Sequence, residues 1–161
     1  MNRDMDFWWR WLVVVTIGVA LFGLSMVVAP GFIRGFFSAL LYGSAAAVSG
    51  FGEPAVAYIS LVHGVLGAVM FGWGVALLLV LFGPFRRGSA DGWWIVTVSI
   101  AAWFVPDTVF SLWTGFWPNA LLNAVFAIAF AVPLAATYRG VRRAGGAAPP
   151  GRPSYATDEQ R

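Results

Sequence analysis

The sequence predicts an all-α protein, a four-helix transmembrane bundle with a short interfacial helix between the first and second spans. Three observations predict it. Hydrophobic residues make up 60% of the 161 residues and charged ones only 11%, against roughly 25% charged in a soluble domain. Too few polar side chains remain to cover a water-facing surface, so lipid must be part of the solvent. Four apolar runs, about 9–29, 55–82, 93–113 and 118–138, are each long enough to cross, because a crossing takes about 20 apolar residues. The arginines then sort by side. Threaded four times, the chain puts Arg3, Arg10, Arg86, Arg87, Arg139, Arg142, Arg143, Arg152 and Arg161 on one side and Arg34 alone on the other. By the positive-inside rule both termini are cytoplasmic, in the inner (plasma) membrane. A fifth span through 30–54 would separate the termini and destroy this agreement.

The elements follow in order. Residues 1–10 are a short polar start ending in Trp8, Trp9 and Arg10. The charge-free part of the first span, 11–29, reaches roughly 28 Å at 1.5 Å per residue. Val27 and Ala29 are small enough to precede a signal-peptide cut, but Pro30 would follow that cut, so the segment reads as a retained span. Pro30 and Gly31 end it. Ile33, Phe36, Phe37, Leu40 and Leu41 then recur at helical spacing, with Arg34, Ser38 and Tyr42 on other faces. This run, about 31–43, is too short to cross and reads as a helix lying in the interface. A Gly- and Ser-rich loop follows.

Pro54 suits the first turn of the second span. There Gly64, Ala68, Gly72 and Ala76 recur every fourth residue. Small residues at this spacing let another helix approach closely, so the stripe is expected to pack inside the bundle. Ser60, His63, Gly67 and Gly74 lie on a neighbouring face. A polar turn, 83–92, leads to the third span, and Pro118 opens the fourth. Pro106 and Pro133 lie inside these spans. Each lacks an N–H, so the carbonyls of Ala102 and Ala129 need other donors. One membrane domain, 1–143, thus precedes a tail, 144–161, whose Gly, Pro and charge predict disorder. Trp8, Trp9, Trp11, Trp93, Trp94, Trp113 and Trp117 fall at span ends and read as an aromatic belt. Trp73 and Trp103 lie inside spans and read as packing.

Composition excludes much chemistry. There is no cysteine, so disulfides, thiolate metal sites and thiol redox reactions are out. One histidine rules out haem held between two histidines of the chain. A zinc site would need three protein ligands, here His63 plus carboxylates. No metal or cofactor is expected, and a net charge of +3 is no nucleic-acid signal. The bilayer is the expected partner, with a second copy or another membrane protein beside it. All ten basic residues are Arg, which with abundant Ala, Gly, Val and Pro suits a GC-rich prokaryotic genome.

Threading fixes depth. His63, about eight residues into the second span, lies roughly 12 Å below the outer end. Asp107 lies roughly 9 Å down and Asn123 roughly 7 Å. Ser60 and Ser111 sit near this level, Asn119 shares a helical face with Asn123, and Glu53 stands at the mouth. An ionisable residue at such depth costs on the order of 3 kcal/mol, usually faces the bundle interior and pairs. His63 is the natural partner for Asp107. If the third helix ends early at Pro106, Asp107 simply faces water; otherwise the layer reads in two ways. It is an interhelical clamp around Pro106, or a small polar cavity for a headgroup, a quinone, another amphipathic molecule or a proton.

Four short spans, Ala29-Pro30-Gly31-Phe32 after the first, a Gly-rich second span and a polar hairpin from Asp107 to Asn123 have a counterpart. Over about residues 8–140 the chain resembles the small bacterial membrane proteins called DoxX-like. The resemblance implies a four-helix bundle and carries over no catalytic residue. Three classes of function stay open. The first is a non-enzymatic accessory or structural membrane subunit. The second is a binder or transporter of a small amphipathic molecule, or a proton relay. The third is an intramembrane isomerase with His63 and Asp107 as acid and base.

Overall fold

The computed structural model describes residues 3–145. Among them there is no strand. The helices are α1 (Arg3–Val28), α2 (Pro30–Tyr42), α3 (Glu53–Val80), α4 (Ala90–Trp113) and α5 (Trp117–Gly145). A 3₁₀ turn, Ala47–Phe51, precedes α3, and a π-helical turn, Leu81–Phe85, follows it. Four segments, Met5–Val28, Glu53–Phe85, Ala90–Trp113 and Trp117–Tyr138, are long and apolar enough to cross a membrane. The protein is a multi-pass membrane protein whose apolar helices meet lipid. α5 runs two residues past 143, and the rest of the tail lies outside the described residues.

The connections have local causes. Pro30 sits in the first turn of α2, where its missing N–H costs nothing. Gly43 ends α2 with φ +73°, and its N–H bonds the Ala39 carbonyl. Only a residue without a Cβ takes that left-handed cap cheaply. The loop beyond is pinned by Ser38. Its buried hydroxyl donates to the Ser44 carbonyl at 2.6 Å and accepts the Val48 N–H at 3.1 Å. α4 continues through Pro106 to Trp113, so Asp107 stays within the helix.

α1 is the hub. It packs most extensively against α3, and also against α5 and α2. α4 packs against α5, while α3 and α4 meet only sparingly. Leu12, Met26, Leu81, Val96 and Phe130 are fully buried where these helices meet. Burying a side chain of this size stabilises by about 1.5–3 kcal/mol where the alternative is water. Between helices already in lipid, close packing takes over that role.

The close approach of α3 to α1 does not use the expected stripe. Gly64 and Gly72 have open space where a Cβ would stand, and Ala68, Gly72 and Ala76 are exposed. The contact lies on the neighbouring face. A Cβ on Gly67 would strike the Gly23 carbonyl and Met26, and one on Gly74 would come within 2.8 Å of the Ala20 Cβ. The reason lies in α1. Gly23 and Ala20 are the small residues of α1 that face α3, and they meet Gly67 and Gly74, which stand seven residues apart.

Two expected belt tryptophans also turn inward. Trp9 and Trp93 are 9% and 7% exposed. Their indoles donate to the carbonyls of Leu81 at 2.8 Å and Leu134 at 3.0 Å. Leu81 opens the widened turn before Pro84, where the regular ladder is interrupted. Trp94, Trp113 and Trp117 are exposed at helix ends, as a belt requires.

Candidate functional site

Because α3 and α4 barely touch, the bundle holds a cavity of about 530 Å³ between them, closed behind by α1 and α5. Its body is apolar, lined by Phe22, Met26, Leu122, Phe126 and Phe130. Its polar lining comes from His63 on α3, Ser99 and Asp107 on α4, and Asn119 and Asn123 on α5. Leu66 and Val69 of α3 also line it and are 47% and 63% exposed. They mark an opening toward the side of the bundle. A second groove, between α4 and α5, is lined by Trp94, Ala101, Ala131 and similar residues and holds no charge.

The polar groups form a network built by the α4–α5 hairpin. Asn119 donates through Nδ2 to Asp107 Oδ1 at 3.1 Å and to Ser111 Oγ at 2.8 Å. Ser111 donates to the same Asp107 Oδ1 at 3.3 Å. Asp107 and Ser111 are one helical turn apart, so both face Asn119 on the returning helix. The carboxylate is thus an acceptor at Oδ1, and Oδ2 has no hydrogen bond among the described residues. Asn123, buried a turn further along, makes a long 3.5 Å contact with Thr108 Oγ1.

His63 does not pair with Asp107. Its ring stacks on Phe37 of α2, with centroids 5.0 Å apart and planes at 22°. Its Nδ1 is buried and has no hydrogen-bond partner among the described residues. Both residues line the same cavity without bonding each other. Ser60 belongs elsewhere. It accepts from Arg34 Nη1 at 3.1 Å and donates to the Val56 carbonyl at 2.9 Å, tying α2 to α3. Glu53 is exposed in the first turn of α3, apart from the cavity.

Nothing in the sequence marks Thr108, Phe37 or Ser99 as site residues. Trp73 and Trp103 also do more than pack. Trp73 donates its indole N–H to Ser99 Oγ at 2.6 Å, bridging α3 to α4. Its ring lies 6.0 Å from that of Trp103, and both line the cavity. The available signal was their position inside spans, away from either interface. No group of His, Asp and Glu able to hold a metal occurs among the described residues.

No protein-family model matches the chain, and it has no match among curated proteins or among solved structures.

Proposed function

We propose that the protein is a non-enzymatic multi-pass protein of a prokaryotic inner membrane that binds a small amphipathic molecule in the cavity between α3 and α4. The observation that carries this reading is the cavity itself. It combines an apolar body of about 530 Å³ with His63, Asp107, Asn119 and Asn123 in its lining. Binding sites are concave and mostly apolar, with a few fixed polar groups and volumes of about 300–1,000 Å³. The partly exposed Leu66 and Val69 suit entry from the bilayer. Both termini are assigned to the cytoplasm on the arginine distribution. The likeness to DoxX-like proteins rests on the residues that carry it and adds a fold, not a ligand.

Native mass spectrometry of the protein in mild detergent tests the reading. A retained lipid, quinone or comparable adduct is expected, and cavity-filling Ala102→Trp should expel it. A bare protein ion, or an adduct indifferent to Ala102→Trp, would overturn it.

A second reading, an accessory subunit, is favoured by one observation. Ala68, Gly72 and Ala76 present small residues on an outward face that no other helix covers among the described residues. A second copy or another membrane protein could approach closely there. A stable stoichiometric partner in a mild-detergent pull-down would support it, and a clean monomer would count against it.

A further inference from the structure

We propose that the occupant of the cavity is a hydrophobic organic cation, its charge held at Asp107 and against the indole of Trp103 one helical turn away, with its apolar groups reaching toward Trp73. This rests on the reading of the cavity as a binding site.

The charge balance comes first. Among the described residues, Asp107 is the only acidic one lining the cavity, and no arginine lines it. Arg34, on the neighbouring α2, bonds the neutral Ser60 hydroxyl, keeps its charge, and stands outside the cavity lining. A carboxylate within a membrane span usually faces a positive partner. Here the bundle supplies neutral donors instead. Asn119 and Ser111 both point hydrogens at Oδ1, which fixes the carboxylate and leaves Oδ2 free for another donor or cation.

The aromatic lining adds an independent argument. Ring faces carry negative electrostatic potential and attract cations, tryptophan most strongly. Trp73 is fixed by its bond to Ser99 and sits 6.0 Å from Trp103. Phe22 and Phe126, with centroids 6.4 Å apart, continue the aromatic wall. His63 completes the set. When neutral, its unpartnered Nδ1 offers an acceptor lone pair or a single donor, and a protonated amine can use the acceptor form. An anionic head would instead meet the Asp107 carboxylate in a low-dielectric site, where like charges repel strongly.

The test uses three probes of similar bulk on the purified full chain in a neutral maltoside detergent. They are tetraphenylphosphonium, uncharged triphenylmethanol and tetraphenylborate, measured by equilibrium dialysis. The cation should bind at least about tenfold tighter than the other two, as one buried charge contact suffices to produce. Asp107→Asn should weaken the cation by about tenfold and leave triphenylmethanol within about twofold. Trp103→Leu should weaken the cation more than the alcohol. Equal binding of cation and alcohol, with no effect of Asp107→Asn on either, would overturn the cation inference and leave the binding cavity standing. Failure of all three probes to bind, in a protein that also flies bare in native mass spectrometry, would overturn both. Should Asp107→Asn not fold, the wild-type ranking decides, and tetraphenylborate binding as tightly as the phosphonium would overturn the inference.

Discussion

The indole of Trp11 donates its N–H to the carbonyl of Ala129 at 3.0 Å. Ala129 stands four residues before Pro133, which has no N–H to offer it. A side chain from α1 thus supplies the hydrogen bond that proline removes from α5. In lipid this matters more than in water, because no solvent can take the donor's place. The bond also holds the first and last spans together.

Trp11→Phe should therefore lower the thermal midpoint in detergent. The expected cost is about 0.6 kcal/mol, the average for a hydrogen bond between membrane helices. In a Pro133→Ala background the helix restores its own donor, and most of that cost should vanish. An equal loss in both backgrounds would show that the indole contributes packing alone.

The pairing shows what was legible in the sequence and what was not. That the carbonyls before Pro106 and Pro133 need outside donors follows from proline chemistry. Which residue answers depends on how α1 lies against α5, and no local pattern in the chain encodes that. The spans were legible because apolar length and arginine placement are one-dimensional signals. The meeting of Asp107 with Asn119 was half legible, since a short hairpin must bring the two helices back together. The choice of packing face on α3 was not. Both faces carry small residues, and the positions of Gly23 and Ala20 on the partner helix decide between them.

That decision can be measured. Gly67→Ala places a Cβ against the Gly23 carbonyl and Met26, with no room to give. It should destabilise by about 1–3 kcal/mol, the usual cost of overpacking. Gly72→Ala enters open space and replaces a glycine within a helix. It should be neutral or slightly stabilising, by up to about 1 kcal/mol. The opposite ranking in thermal unfolding would mean that α3 packs through the Gly64–Ala76 stripe.

Threading is open to a direct test because the chain has no cysteine. Single cysteines at Ser44 and Ser89 would report the α2–α3 and α3–α4 connections. An impermeant maleimide should label Ser44→Cys in intact cells and leave Ser89→Cys untouched until the membrane is opened. The reverse pattern would invert the orientation and place the Asp107 end of the cavity in the cytoplasmic half.

The last prediction separates the two partners first available to Asp107. The structure bonds it to Asn119 and leaves His63 unbonded across the cavity. Asp107→Asn with Asn119→Ala should therefore be non-additive in stability, by about 0.5 kcal/mol or more, as contacting residues are. Asp107→Asn with His63→Gln should add within about 0.3–0.5 kcal/mol in ligand-free protein. Tetraphenylphosphonium has no N–H to donate to the His63 ring. Asp107→Asn should therefore reduce the thermal stabilisation that the probe confers, while His63→Gln should leave most of it in place. Strong His63–Asp107 coupling without any probe would mean that the two side chains meet directly, and the cavity between α3 and α4 would be closed.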